Sequence, residues 1–104
     1  MAKMVVIYNT PKDKAAFDKH YFEVHIPLAK KLPGLIKYEI NKGPVVPVVQ
    51  GGPDIYLIAT LYFDSLDAIK KSFASPEGQA CRIDRKTYAP DDLVKIYLYD
   101  TQEV

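Results

Sequence analysis

Two stretches of this chain predict β-strands that are apolar on both sides, and this feature limits the folds open to it. The run IYLIATLYF, residues 55–63, has apolar or aromatic side chains at nearly every position of both alternating sets. The run LVKIYLY, residues 93–99, is apolar on nearly both sides as well. Since successive side chains of a strand point to opposite faces of its sheet, both faces of this sheet need cover.

The first half of the chain predicts a strand, a helix and a second strand. A continuous apolar run at residues 4–8 is typical of a buried strand, and it leads directly into an amphipathic helix at residues 10–34. After this helix, Ile36, Tyr38 and Ile40 alternate with polar residues, which predicts a half-buried strand.

The second half repeats this order. After the strand at residues 55–63, Asp64-Ser65-Leu66-Asp67 caps a helix and Ser75-Pro76-Glu77 begins a further helical segment. That segment is predicted to end near Lys86, and residues 93–99 form the last strand. Two helical pieces therefore take the place of one long helix.

Two strand–helix–strand units with right-handed crossovers predict an α+β fold, the ferredoxin-like βαββαβ sandwich with a four-stranded antiparallel sheet. Its helices cover one face of the sheet, so the other apolar face would be an association surface. We expect a second copy of the chain to cover that face, which makes a two-fold homodimer with a barrel between the monomers. A separate pocket is expected between each sheet and its helices.

A long connection joins the two units. Residues 42–54 contain three prolines and three glycines, which excludes a central strand. The four valines of this segment predict that it packs over a pocket mouth or against a partner chain; a mobile loop is the alternative.

Length and charge narrow the possible functions. A chain of 104 residues predicts one domain, residues 1–104, and its net charge of +1 comes from 14 basic and 13 acidic residues that are interspersed. Nucleic acid and anionic membranes are therefore poor candidates for partners.

The first residues lack the long apolar region of a secretory signal, so we expect a cytoplasmic protein. Cys81 has no intrachain partner and is interpreted as a small packing residue.

The helix at residues 10–34 carries the candidate site. Thr10 is a suitable cap, Pro11 suits the first helical position, and Asp13 places a carboxylate against the free N–H groups. Leu32-Pro33-Gly34 ends the element. Helical spacing predicts a face that packs against the core, formed by Phe17, Tyr21, Val24, Leu28 and Leu32.

His25 lies on the flank of this face, four residues after Tyr21, whereas His20 is turned about 140° from His25 and is predicted to be a surface residue. Pro27 cannot donate to the carbonyl of Glu23, so we expect a kink or a break beside His25. No metal is implied, because the two histidines do not share a helical face and no further ligand lies at suitable spacing. One interpretation of His25 is structural, with its ring packed against Tyr21.

The run Phe17-x-x-x-Tyr21-x-x-x-His25-Ile26-Pro27-Leu28, followed by LPGL at residues 32–35, resembles the EthD family, which belongs to the dimeric α+β barrel superfamily. The HIPL and LPGL motifs are the specific part of the resemblance. The strand that ends in LYF and the SPEG turn at residues 75–78 are similar in kind and less diagnostic.

The resemblance implies several activities without selecting one. EthD is named for a gene cluster that degrades a fuel-additive ether, and fungal relatives are described as dehydratases or decarboxylases of polyketide-derived aromatic molecules. Superfamily relatives include cofactor-independent monooxygenases, a lactone isomerase and haem-degrading proteins. By analogy the matching histidine is His25, and its site is the cavity between the first helix and the sheet.

We expect His25 to act as a general base or acid, without a cofactor, on a small apolar or aromatic, ring-bearing substrate in catabolism. An imidazole with an ordinary pKa of about 6.5 suits proton transfer near neutral pH. A tyrosine hydroxyl near a developing oxyanion would stabilise it; the alternative is that each ring packs the core or the dimer barrel. The candidate substrate-binding residues are Tyr21, Asn9, Tyr38, Tyr56 and Tyr62.

Two other functions remain open at this stage. The pocket could bind an apolar ligand without turnover, in which case His25 donates or accepts a hydrogen bond only. The barrel could also be a structural or stress-related protein whose helix–sheet space is filled by side chains. A haem-binding version would need a cavity wide enough for the macrocycle.

Overall fold

In our computed structural model, which describes residues 1–104, the chain forms one antiparallel sheet of four strands. Helices cover one face of this sheet. The strands are β1 (Ala2–Asn9), β2 (Lys37–Ile40), β3 (Ile55–Phe63) and β4 (Val94–Asp100). They lie in the order β2-β3-β1-β4, and all neighbouring strands are antiparallel. This order confirms the predicted ferredoxin-like α+β sandwich.

The central strand β1 sets the register of the sheet. Val6 pairs with Ala59 of β3 on one side and with Ile96 of β4 on the other. Tyr8 and Phe63 are almost fully buried on the same face, under the helices. The alternate residues of β1 and β3 face away from the helices, as the period of two requires.

The first helical region runs from residue 14 to residue 29 and begins at a different cap from the one predicted. The carboxylate of Asp13 accepts the amide N–H of Ala16 at 3.0 Å, so Asp13 is the N-cap. The amide of Thr10 instead donates to the carbonyl of Asp54 at 3.0 Å, which keeps this part of the chain beside the loop before β3. The prediction that Thr10 caps the helix is therefore wrong.

A π-helical turn lies in the middle of this region. It spans Tyr21–His25 and joins α1 (Lys14–His20) to α2 (Ile26–Ala29). The amide of Ile26 donates to the carbonyl of Tyr21, five residues earlier, and Pro27 follows at the start of α2. The helical region therefore continues across Pro27, with a widened turn just before it, whereas the sequence predicted a kink or a break there. π-helical turns are rare and often occur at functional sites.

The extra residue of the π-helical turn changes which side chains face the core. Val24 was predicted to be buried, but it is 41% exposed, while His25 is only 8% exposed. Beyond the turn, Ala29 is buried in place of the predicted Leu28, which is partly buried. The face that packs against the sheet thus follows positions 17, 21, 25 and 29, and His25 moves from its flank to its centre.

The second half of the fold contributes α3 (Leu66–Ala74) and α4 (Pro76–Tyr88). Ser65 caps α3 and Ser75 caps α4, with their Oγ atoms accepting the amides of Ala68 at 3.0 Å and Gly78 at 3.1 Å. A short 3₁₀ turn, Asp91–Leu93, leads from α4 into β4. The predicted division into two helical pieces is confirmed. No helix of the chain combines the length and the apolar character needed to cross a bilayer.

The face of the sheet opposite the helices has no covering element in the single chain. Val5 lies at its centre, paired with Thr60 on β3 and Tyr97 on β4. Tyr97 and Tyr99 are 53% and 44% exposed. This apolar surface, which we call the outer face, carries the second apolar set of β3 that the strand pattern predicted, together with Tyr97 and Tyr99 of β4.

Candidate active site

A cavity of about 290 Å³ lies between the sheet and the helices, where the sequence predicted a pocket. Its floor includes Val6 and Ala59 from the two central strands, and Tyr21 and His25 line it from the π-helical turn. Most of its lining is apolar. No residue of the long connection at residues 42–54 lines this cavity. The exposed valines of that connection lie away from it.

The imidazole of His25 is held between two tyrosine rings. It stacks on Tyr21 with a centroid distance of 5.5 Å, and its centroid lies 5.0 Å from that of Tyr88 at the end of α4. Since both rings are packed into the core, His25 has little rotational freedom. The ring is therefore fixed beside the cavity.

Asp84 of α4 binds both histidines of the chain. Its Oδ2 atom lies 2.9 Å from Nδ1 of His25, and its Oδ1 atom lies 2.7 Å from Nε2 of His20. His20 also stacks on Tyr88 at 5.1 Å, so it is not the isolated surface residue that the sequence predicted. The three polar side chains form one connected group, which we call the His–Asp–His cluster.

The cluster defines the tautomer of neutral His25. An ionised carboxylate accepts hydrogen bonds and cannot donate them, so the proton of His25 is on Nδ1, which donates to Asp84. The lone pair is then on Nε2, an atom that has no partner within the chain and is not sealed from solvent. This arrangement prepares Nε2 to accept a proton.

Burial lowers the pKa of His25 below its ordinary value, and the hydrogen bond and charge of Asp84 offset this shift only in part. His25 is therefore in its neutral form at neutral pH. A neutral imidazole that can take up a proton and then pair with a carboxylate has the properties of a general base.

Three tyrosines, Tyr8, Tyr21 and Tyr38, add hydroxyls to the lining of the cavity. The hydroxyls of Tyr21 and Tyr38 lie 2.5 Å apart, and those of Tyr8 and Tyr88 lie 2.8 Å apart. Burial raises the pKa of Tyr38 to about 12 and raises the pKa of Tyr21 further. These phenols stay protonated at neutral pH; since one hydroxyl of the Tyr21–Tyr38 pair donates to the other, one O–H is left to donate a hydrogen bond to an oxyanion.

The structure brings two of the predicted substrate-binding residues to His25. Tyr21 and Tyr38 line the same cavity as His25. Their part in binding a substrate stays a prediction.

The other three predicted residues lie away from this cavity. Tyr62 is on the outer face, where its hydroxyl donates to Glu39 at 2.6 Å, because it alternates with the core-facing residues of β3. Tyr56 lies at a bulge and donates to Asp18 on α1 at 2.8 Å, in a separate surface depression. Asn9 pairs with Ile55 at the same bulge and does not line the cavity. These three residues therefore do not line the cavity that contains His25.

Asp84 and Tyr88 were not predicted as site residues. A helical signal was present, since both follow Cys81 at spacings of three and seven residues and Cys81 is buried. This spacing places a carboxylate on the inner side of α4. The sequence does not reveal that α4 packs against the π-helical turn, so the partner of Asp84 could not be inferred.

The fold and this cavity define a ferredoxin-like α+β protein with a histidine in an apolar pocket between helices and sheet. The family model of the EthD domain matches residues 9–92, and the chain belongs to the EthD family. The predicted resemblance is thus confirmed.

Known proteins with similar sequences or structures agree with this assignment. A protein from Rhodococcus erythropolis, described as an uncharacterised 11.0 kDa protein in the thcB-thcC intergenic region, is 34% identical over 98 residues, which cover 93% of this chain and 92% of that protein. The crystal structure of an ethyl tert-butyl ether d (ethd) family protein from Bacillus halodurans has a TM-score of 0.86 and 29% identity, over 98% of this chain and 99% of that one.

A more distant likeness concerns the fold alone. SnoaB from Streptomyces nogalater, described as a cofactor-independent oxygenase, has a TM-score of 0.66 and 13% identity, over 99% of this chain and 94% of that one.

Proposed function

We propose that this protein is a cofactor-independent enzyme in which His25 transfers a proton of a small, ring-bearing apolar substrate, in a catabolic reaction of the lyase, isomerase or monooxygenase type. One observation carries the proposal: His25 lines the cavity, its Nε2 has no partner within the chain, and Asp84 holds its Nδ1 at 2.9 Å. A histidine that served packing alone would not need a carboxylate on one nitrogen, a second nitrogen without a partner and a position in the lining of a cavity.

The chemical step follows from the two nitrogens. Nε2 takes a proton from an acidic C–H or a phenol of the substrate, and the imidazolium that forms is paired with the carboxylate of Asp84. The negative charge left on the substrate is stabilised by a hydrogen bond from the hydroxyl of Tyr21 or Tyr38, which line the same cavity. The proton returns from Nε2 to the product or to its leaving group.

The size of the cavity supports a small substrate. At about 290 Å³ it is at the lower end of ligand pockets, which span about 300 to 1,000 Å³. An open cavity also argues against a purely structural protein, in which the space between helices and sheet would be filled by side chains. The same fold is used by SnoaB, a protein described as a cofactor-independent oxygenase, although fold alone does not transfer a reaction.

A proton-transfer probe tests the proposal without knowledge of the natural substrate. In nitrobenzisoxazole a base removes the ring C–H proton, the C–H electrons complete a nitrile and the N–O bond breaks, which releases a coloured phenolate. We expect the wild-type rate to rise with pH through the pKa of His25, below its ordinary value of 6.5, and to be level above it, because the neutral form is the base. The measurement is absorbance from about pH 5 to about pH 9.

Two results would contradict this expectation. A rate that does not exceed that of buffer means that Nε2 does not act as a base towards a bound ring. Binding of the probe without turnover, seen as a change in the NMR signals of the His25 ring, would support the alternative function of a non-catalytic binding protein.

We propose further that the chain forms a homodimer through its outer face. The supporting feature is the apolar surface around Val5, Ile7 and Ile58, which no element of the single chain covers. Proteins with the same fold from Bacteroides fragilis and Thermobifida fusca are described as dimeric. A two-fold packing of sheet against sheet would remove this surface from water.

Val5→Lys tests the dimer, since it places a charge at the centre of the outer face. We expect the mass in solution, measured by light scattering during gel filtration, to fall from twice the chain mass to 11.8 kDa. Ile83→Lys is the matched control, because Ile83 is an exposed residue of α4 on the helix layer. A variant at Val5 that keeps the wild-type mass would place the interface elsewhere.

A further inference from the structure

Three basic side chains of α4 lie at the mouth of the cavity. Arg82, Arg85 and Lys86 line it together with Cys81, which is buried. Arg82 and Lys86 are exposed, and Arg85 is partly buried. The same helix therefore lines an apolar interior and a basic entrance.

One of these cations is already paired. The Nη1 atom of Arg85 donates to the carbonyl of Ala89 at 2.8 Å and to the carboxylate of Asp91 at 2.9 Å. Arg82 and Lys86 have no ion pair and no hydrogen bond within the chain. Their donors are free to bind another group.

The two unpaired cations are neighbours. Arg82 and Lys86 are four residues apart on α4, which places them one above the other on the same side of the helix. Like charges at this spacing weaken a helix, and the chain as a whole is almost neutral at +1, so the basic entrance is a local feature. The carboxylate of Asp84 is bound to the two histidines, and Asp91, the acidic residue of the cavity lining, is paired with Arg85, so neither forms an ion pair with Arg82 or Lys86.

We propose that the ligand of this cavity is an organic anion, an aromatic or apolar ring with a carboxylate, whose charge is bound by Arg82 and Lys86 while its ring lies in the cavity beside His25. This inference rests on the proposed function and names its substrate class. The guanidinium of Arg82 suits a carboxylate because its planar donors match the two oxygens. Anchoring the anion at the mouth orients the ring towards Nε2 of His25.

A pair of probes that differ in charge tests this inference. Naphthoate and its neutral methyl ester have the same ring system, and their binding to the wild-type protein can be followed by calorimetry. We expect the anion to bind about tenfold more tightly than the ester, since a hydrogen-bonded ion pair forms in one case and not in the other. We also expect this preference to shrink when NaCl is raised from about 0.02 M to about 0.5 M, because salt screens exposed charges.

Two double variants identify the residues responsible. Arg82→Gln with Lys86→Gln should abolish the preference for the anion and leave the affinity for the ester unchanged. Lys70→Gln with Lys71→Gln is the matched control, because it removes two exposed cations from α3 that do not line the cavity. It should leave the affinity for both probes as in the wild type.

The outcomes separate this inference from the proposed function. Equal binding of the two probes overturns the anionic ligand and leaves the pocket and its base intact. Preference for the anion that persists in the variant lacking Arg82 and Lys86 overturns the assigned residues. Failure of both probes to bind overturns this inference, whereas failure of the proposed function shows separately as a benzisoxazole rate no higher than that of buffer.

Discussion

His25→Gln is expected to lower the rate of the benzisoxazole ring opening by about a hundredfold or more, the usual contribution of a positioned general base. Glutamine keeps a polar side chain of similar reach, but its amide has no nitrogen lone pair that can take up a proton near neutral pH. The rise in rate with pH should disappear together with the rate. The measurement is kcat/KM for the probe above neutral pH, with the thermal midpoint as a check on folding.

Asp84→Asn is the companion variant. It removes the negative charge that raises the pKa of His25, so burial and the nearby charges of His20 and Arg85, which lower this pKa, are less opposed and the midpoint of the pH–rate profile should move to lower pH. His20→Gln removes the other partner of Asp84 and should reduce the rate much less, because Nδ1 of His25 keeps its acceptor. Retention of a tenth or more of the rate in His25→Gln would show that another group is the base.

The fold could be predicted from the sequence because its signals are local and repeated. Residues 55–63 have apolar side chains in both alternating sets, and such a strand needs other structural elements packed on both faces of its sheet. The cap residues Ser65 and Ser75 predict the start of α3 and of α4 directly from the sequence. The order of these elements leaves few chain topologies, and the ferredoxin-like one is among the commonest.

The site was predicted in part, since His25 and Tyr21 lie where a helical face and a pocket were expected. The π-helical turn was not foreseen, because a period of 3.6 residues treats every turn as equal and Pro27 predicted a break. One inserted residue moved Val24 outwards and His25 inwards. The sequence therefore predicted the imidazole near the cavity from regular helical spacing, without the π-helical turn that turns it inwards.

The strand tyrosines show a second limit of the sequence. Tyr62 is on the outer face by simple alternation, and its position could have been derived from the buried Phe63 beside it. Tyr56 is different, since a bulge opposite Asn9 interrupts the alternation there. The partners of Asp84 could not be predicted, because they depend on which helices pack together in three dimensions.

Gly78→Ala is expected to lower the free energy of unfolding by about 3 kcal/mol, at the upper end of the cost of overpacking. In a helix interior this change normally stabilises, by about 1 kcal/mol. Here the new Cβ would lie 2.3 Å from the carbonyl oxygen of Ser72 and 2.4 Å from Cα of Phe73. Both are backbone atoms, so no rotation of a side chain relieves the overlap and α3 must separate from α4.

Gly43→Ala is the matched control, measured by urea unfolding at the same protein concentration. Gly43 has a φ of 76° and no atom within 4 Å of an added Cβ, so backbone strain alone should cost about 1 kcal/mol. Because α4 also carries Asp84, the Gly78 variant should disturb the His–Asp–His cluster and lower the probe rate, whereas the Gly43 variant should not. A Gly78 variant as stable as the wild type would mean that α3 and α4 do not pack as closely at Ser75 as the geometry requires.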